Sequence, residues 1–352
     1  MIDWLSQRIN KISKIEKYSK PIKNASFKLD ANENLLLDSN FLSQLVIKEA
    51  GKIDLRKYPL ELYDELYKKL SEYLKVSEKT LVIGNGSDQI IELLLSVIGD
   101  HKRVTLFTPT FSYFISRCQF HGINISNIPL CPKDNTIRKR SFIKSAEKSN
   151  IVYLCSPNNP TGNQIERSIV QDILELKNVF VILDEAYVEF ANYSMTKFVE
   201  EYSNLAILRT FSKAFGLAGC RLGYLVTNKK FAHFIRANVQ SPYPVNSLSL
   251  VIAISLLSNL KAVQKSVQVI KVERQRLFER ISKIDFLSPY PSDSNFIFVR
   301  IKERYVRVVD ALEKHGVGVK VLGNLFGYGR CLRITVGTPK MNDTIIRALK
   351  SI

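Results

Sequence analysis

Metal and disulfide chemistry have little to work with in this chain. Among 352 residues there are four histidines and five cysteines. No histidines stand at H-x-x-x-H spacing and no cysteines at C-x-x-C spacing, so neither a zinc site nor a disulfide framework is indicated. Long apolar runs are missing as well. Windows such as LSLVIAISLLSNL (248–260) stop short of the ~20 apolar residues that a membrane helix needs. The opening MIDWLSQRINKISKIEKYSK alternates charge with apolar residues and has no continuous apolar stretch of the kind a secretory signal carries. The expectation is a cytoplasmic protein with no membrane association. Negative charge is scarce: 33 acidic residues face 51 lysines and arginines, a formal net charge of +18. Such an excess is the electrostatic footprint of nucleic-acid binding. Here the cations are spread along the chain apart from clusters such as IRKR (137–140), and no nucleic-acid motif accompanies them. A lysine-rich surface that attracts small anions is the simpler reading.

What is present is an ordinary globular composition, 45% hydrophobic and 24% charged, in a chain long enough for one large core and a smaller one. From about residue 60 the pattern alternates. LYDELYKKLSEYL spaces its apolar residues by three and four, as a helix does. TLVIG is a short β-branched run, followed by NGSD and the apolar-periodic QIIELLLSVI, a helix start that Ser87 or Asp88 is placed to cap. The unit recurs through RVTLF, INISNIPL, IVYLC, VFVILDE, LAILRT and CRLGYLVT. Apolar strands separated by amphipathic helices predict an α/β fold with a mostly parallel central sheet flanked by helices. After SPYPVN (241–246) the pattern changes to a long helical stretch over roughly 247–281, followed by mixed strands and helices. This predicts an N-terminal arm (1–35) packing on the small domain or on a partner, a large domain (36–245) and a small α+β C-terminal domain (246–352).

Ligands of such sheets bind at the carboxyl ends of the strands, and three polar stretches fall there: SPNNPTG (156–162), DEAY (184–187) and RTFSKAFGLAGCRLGY (209–224). Taken singly, these residues have plain structural explanations. Asp184 and Tyr187 read as a cap and a core aromatic, Arg221 as a surface ion-pair partner, Phe111 as core, and Tyr58 before Pro59 as a turn residue. Together they supply what pyridoxal phosphate requires: a lysine for its aldehyde, an anion for its ring nitrogen, donors for its phenolic oxygen, and a cation, hydroxyls and a helix start for its phosphate.

The chain resembles the fold type I pyridoxal-phosphate aminotransferases, and among them the histidinol-phosphate aminotransferases. The resemblance is carried by DANEN (30–34), RKYP (56–59), GNGSDQIIELL (84–94), PTFSYF (109–114), SPNNPTG, LDEAY, RTFSKAFGLAGCRLGY, PYP (242–244) and CLRITVGT (331–338). It implies that Lys213 holds the cofactor covalently and then shuttles the reacting proton, while Asp184 pairs with the ring nitrogen. It also implies that Tyr187 and Asn159 bond the phenolic oxygen and that Phe111 stacks on the ring. Gly86, Ser87, Asp88, Thr210, Ser212 and Arg221 would hold the phosphate, joined by Tyr58 from the neighbouring subunit of a homodimer with shared active sites. No metal is implied.

For the substrate, the resemblance assigns Arg333 to the anionic end and Asn32 to the entrance, with Arg330 and Tyr18 as further candidates. The arm reads KYSK where the family usually has Tyr-x-Ser-Ala-Arg. The reaction implied is amino transfer between L-histidinol phosphate and 2-oxoglutarate, yielding glutamate, in histidine biosynthesis. The alternatives are transamination or decarboxylation of another small phospho-amine or phospho-amino acid, or transamination of aromatic amino acids. A more distant one is a basic nucleic-acid-binding protein on an inactive fold of this type.

Overall fold

The computed structural model describes residues 2–15, 25–99 and 102–352. Strands are numbered β1 (Phe27–Leu29), β2 (Leu81–Gly84), β3 (Arg103–Thr108), β4 (Asn124–Pro129), β5 (Ile151–Cys155), β6 (Phe180–Asp184), β7 (Leu205–Thr210), β8 (Gly223–Thr227), β9 (Leu287–Pro289), β10 (Phe296–Ile301), β11 (Val317–Leu325) and β12 (Gly329–Thr335). Seven of them form one sheet in the order β2-β8-β7-β6-β5-β3-β4. Its ladders are parallel except where β8 runs against β2 and β7. The expected mostly parallel, helix-flanked sheet is therefore present, and the lone reversed strand is the GYLVT run.

The reason these strands are nearly continuous apolar runs lies in the side-chain alternation. Val152 and Leu154 of β5, Val181 and Leu183 of β6 and Ile207 of β7 pack into one core. Ile151 and Tyr153, Ile182, and Ala206 and Leu208 pack into the other. Both faces are covered by helices, so both sets must be apolar. The helix Gly86–Ile98 contributes Ile90, Ile91, Leu94 and Leu95 to one side, and the helix Leu60–Leu74 contributes Leu66, Leu70 and Leu74 to the other.

The second sheet has the order β1-β11-β12-β10-β9. Its first strand comes from the N-terminal segment and pairs in parallel with β11, Phe27 to Val317 through Leu29 to Val319. The core of the large sheet's outer face runs on without a break into this sheet through Phe296, Val299, Leu332 and Ile334.

One expectation is corrected. The stretch read as a single helical run over 247–281 is two helices, Ser247–Leu257 and Leu260–Ser282, bent by 78° at Ser258 and Asn259. The physical reason is a change of surroundings. The first helix is apolar nearly all round and packs against the helices Ser39–Ala50 and Leu60–Leu74. The second is amphipathic and lies along β9, β10 and the helix Pro339–Lys350. Asn259, at φ −132° and ψ 57°, leaves the helical region between them. Among the described residues no single helix is long and apolar enough to cross a membrane.

A buried ion cluster ties the loop after β6 to β7. Arg209 of β7, 4% exposed, reaches Glu185 at 3.1 Å and Glu189 at 2.6 Å. Glu185 also accepts from the Met195 N–H at 2.7 Å and the Ser194 hydroxyl at 2.6 Å. This holds the segment that carries Asp184 and Tyr187. Removing one partner of a buried pair strands the others without compensation. Arg209→Met is expected to lower unfolding free energy by about 3–5 kcal/mol in urea denaturation, and a loss below about 1 kcal/mol would show that the cluster does not hold the loop.

Candidate active site

The parallel strands β5, β6 and β7 end at one edge, with Cys155 beside Asp184 and Asp184 beside Leu208. The residues following those ends line a cavity of about 390 Å³. Asp184 closes its floor, 3% exposed. Its Oδ2 accepts from the Tyr153 hydroxyl at 2.8 Å and its Oδ1 from the Ala186 N–H at 3.1 Å. Burial nevertheless dominates and raises the carboxyl to about 6, because a charged carboxylate loses hydration there.

Lys213 follows β7 and faces the same cavity. Its Nζ donates to the Ala31 carbonyl at 2.8 Å. Burial first, and then the Arg333 charge, lower its amine to about 8. A lysine so shifted is a nucleophile near neutral pH.

Around these two groups the structure gathers Asn32, Ser87, Asp88, Phe111, Asn159, Tyr187, Thr210, Ser212, Arg221 and Arg333, all lining the cavity. The phosphate-sized end is built by close backbone approach. Gly86 has φ +78°, and a Cβ on it would stand 3.0 Å from the Arg221 guanidinium. A Cβ on Gly223 would stand 2.5 Å from the Ser87 nitrogen. A larger residue at either position would collide with the Arg221 guanidinium or with the backbone at the start of the helix, and so displace the groups that line the cradle. The cradle presents the first turn of Gly86–Ile98, the Thr210 and Ser212 hydroxyls and the Arg221 guanidinium, a donor set suited to an anion.

Asp88 does not cap that helix, contrary to the expectation. The helix begins at Gly86 without a side-chain cap. The Asn85 N–H is instead satisfied by Gln89 Oε1 at 2.7 Å, which frees Asp88 to accept from Arg221 NH2 at 3.0 Å. The carboxylate orients the arginine.

The segment 30–34 crosses the site as a strap. The Asn32 amide donates to the Tyr187 hydroxyl oxygen at 2.9 Å, its backbone N–H to Thr335 Oγ1 at 3.0 Å, and its carbonyl accepts from the Asn295 amide at 2.9 Å. Asn34 donates to the Ala214 carbonyl at 2.8 Å and to Ser266 Oγ at 2.9 Å. Arg333, 6% exposed on β12, donates to Asn159 Oδ1 at 2.5 Å and to the Asp30 carbonyl.

Arg330 and Tyr58 are not brought to this cavity. Arg330 lies three positions from Arg333, so strand alternation sends it to the opposite face, where its guanidinium sits 4.8 Å from the Tyr305 ring; its assignment to the substrate is corrected. Tyr58 does not line the cavity of its own chain. It is 77% exposed and stacks on Tyr243 at 4.9 Å. Tyr18 lies outside the described residues.

Two groups went unread in the sequence. Lys320 of β11 is in register with Arg333 and borders a second cavity of about 410 Å³, which shares Phe111, Tyr113, Asn159 and Arg333 with the first. Burial and the Arg333 charge hold its amine below the usual lysine range. The signal was there, one cation in each of two strand-like runs, VGVKV and CLRITV. The other is Tyr153, hidden within the apolar run IVYLC.

These groups fit pyridoxal phosphate: an amine shifted toward its neutral form, a buried carboxylate in the same cavity, and an anion cradle of a helix start, two hydroxyls and a guanidinium whose close approach depends on glycine at 86 and 223. The comparisons agree. The model for the aminotransferase class I and II family matches residues 25–349, and the chain belongs to that family, as a pyridoxal-phosphate-dependent enzyme. It is 37% identical to the histidinol-phosphate aminotransferase of Thermoanaerobacter pseudethanolicus over 93% of each chain. To that of Pyrococcus furiosus it is 35% identical, covering 92% of this chain and 91% of the other. Its fold is similar to the solved histidinol-phosphate aminotransferase from Clostridium acetobutylicum, with a TM-score of 0.84, 28% identity and coverage of 92% of this chain and 98% of that one. The enzyme from Sinorhizobium meliloti, solved in complex with pyridoxal-5'-phosphate, gives a TM-score of 0.85 at 22% identity over 97% of each chain.

The lowered Lys213 amine has a direct readout. In cofactor-free protein, trapping of a small aldehyde on Lys213 with borohydride should reach half its maximal rate near pH 8, because only the neutral amine attacks. Peptide mass spectrometry against pH checks this. A midpoint above about 10, the ordinary lysine range, would contradict it.

Proposed function

We propose that this enzyme exchanges an amino group between L-histidinol phosphate and 2-oxoglutarate. The observation that carries the reading is a pair of cations, Arg333 and Lys320, where the reactive cavity meets a second one large enough for an anionic amine. The relatives' names supply the particular amine. Two adjacent cations at this border attract an anion, which suits a substrate carrying a phosphate or a carboxylate.

Each residue then has a role set by its bonds. When bound, pyridoxal phosphate supplies an aldehyde for the amine and an electron sink for the pair left behind when the α-proton departs. The Asp184 carboxylate would hold a protonated ring nitrogen by charge. Tyr187 accepts from Asn32, so its own O–H remains to be donated. Asn159 has its Oδ1 occupied by Arg333, leaving Nδ2 as its donor. Both suit a phenolic oxygen. Lys213 Nζ, its pKa lowered toward neutrality, would take the proton from the substrate's α-carbon and redeliver it two atoms further along, the 1,3-shift that an amino transfer requires. Phe111 lines both cavities, placed to stack on a ring and separate it from the substrate's anionic end.

The reading includes a homodimer. Tyr58 is exposed together with Ile47, Leu55 and Leu60, each more than half accessible, an apolar group suited to a second copy. In that arrangement Tyr58 serves the phosphate of the neighbouring site. A large domain, a small domain and an N-terminal arm bounded near residues 35 and 245 complete the proposed organisation, in the cytoplasm.

The test is a substrate panel with 2-oxoglutarate: histidinol phosphate, phosphoserine, threonine phosphate and phenylalanine, with glutamate and carbon dioxide both followed. Histidinol phosphate is expected to give the highest kcat/KM with no carbon dioxide; faster turnover of another amine, or decarboxylation, would replace it. Lys320→Gln should raise KM for histidinol phosphate about tenfold, with kcat within about threefold, the loss of one charge-assisted contact. For the shared site, Tyr58→Ala and Lys213→Ala chains, each inactive alone, should regain about a quarter of wild-type activity when subunits are mixed at random, since half the dimers then carry one intact site of two. No recovery in proven heterodimers would place Tyr58 outside the site.

A further inference from the structure

Tyr153 stands behind the site, on the far side of Asp184 from the cavity. It is the middle residue of β5 and is 0% exposed. Its ring lies flat on Phe114, with centroids 3.7 Å apart and planes 9° apart. Between Val152 and Leu154, a phenylalanine would fill the same space. What the hydroxyl adds is one directed bond, to Asp184 Oδ2 at 2.8 Å. The remaining oxygen of that carboxylate is held by the Ala186 N–H at 3.1 Å, so the two donors fix its plane.

We infer that Tyr153 is a positioning residue for the cofactor: its hydroxyl orients the Asp184 carboxylate and keeps it ionised, so that Asp184 can hold a protonated ring nitrogen. The inference rests on the pyridoxal-phosphate reading above and adds to it a group that never touches the ligand. Asp184 is faced from β5 by Tyr153 and Cys155, from the segment after β7 by Lys213, from the start of Gly86–Ile98 by Asp88, and from its own loop by the Ala186 N–H and Tyr187. Burial and the Asp88 charge push its carboxyl up, whereas Tyr153, Ala186 and Lys213 pull it down. Burial raises the Cys155 and Tyr187 groups, which stay neutral. Among the side chains named, Tyr153 is the one that donates a hydrogen bond to the carboxylate.

The sign follows. A protonated Asp184 cannot pair with a protonated nitrogen, so cofactor affinity falls as pH drops through the Asp184 pKa, and losing a donor to the anion moves that break upward. The experiment measures the pyridoxal-phosphate dissociation constant between pH 5 and 9 for wild type, Tyr153→Phe, Phe114→Leu and Asp184→Asn. The expected result is a break about one pH unit higher in Tyr153→Phe, with affinity weakened up to tenfold at the acid end and matching wild type at the alkaline end. Phe114→Leu, which loosens the packing but keeps the hydroxyl, should leave the break in place, and Asp184→Asn should lack it. An unmoved break in Tyr153→Phe, or weakening by one factor at every pH, would overturn the inference. A second readout needs no cofactor: in cofactor-free protein with 13C-labelled aspartate, the carboxyl resonance missing from Asp184→Asn should titrate about one unit higher in Tyr153→Phe. If wild type fails to bind pyridoxal phosphate, the functional reading falls, while this titration still decides for or against Tyr153.

Discussion

A carboxylate buried at the end of a sheet strand is the constraint around which this molecule is arranged. Asp184 has almost no access to water, and desolvation outweighs its two hydrogen bonds in setting its proton affinity. Left to itself such a group neutralises. Its position is nevertheless fixed from every side: by the β5 and β7 ladders, by the Tyr153 hydroxyl, and by the Arg209 cluster that clamps the following loop. The adjacent Lys213 carries the complementary strain, a cation pushed toward its neutral form by the same lack of water. Two groups whose environments move their pKa values toward neutrality from opposite sides are what acid–base work near pH 7 requires.

The second organising feature is the way the two sheets share one site. Parallel strands bring their carboxyl ends together without further instruction, so Asp184, Asn159 and Lys213 converge as a consequence of the ladder. Arg333 and Lys320 come from the other sheet and need a separate alignment. The strap 30–34 provides it. It is continuous with β1, which is hydrogen-bonded into the small sheet, and it carries partners for Lys213, Tyr187 and Arg333. A shift of one sheet against the other would therefore be felt at the amine and the phenol together.

Much of this was legible in the residues. The α/β alternation is visible because a sheet covered on both faces demands unbroken apolar strands, and the polar stretches SPNNPTG and DEAY stand out against them. What escaped depends on partners distant in the chain. Arg330 and Arg333 look alike in GYGRCLRITVG, and the odd spacing that separates their faces acquires meaning once β12 is a strand. Tyr153 reads as another apolar residue of β5, since its hydroxyl matters through an aspartate on the next strand. Asp88 looked like a helix cap because its cross-loop arginine is far off in sequence. The bend at Ser258 and Asn259 was hidden by two helices in succession, each regular by itself.

The chemistry of the strap's contacts sets a pattern of evolutionary tolerance. Toward Lys213 and Arg333 it offers main-chain oxygens, those of Ala31 and Asp30, which every amino acid possesses. The bonds to the amine and the guanidinium themselves make no use of the side chains of Ala31 and Asp30. Insertion or deletion is another matter: one residue more or less between β1 and Asn34 would slide both carbonyls out of reach and uncouple Asn32 from Tyr187 in the same stroke. The segment's spacing is thus constrained more tightly than its spelling.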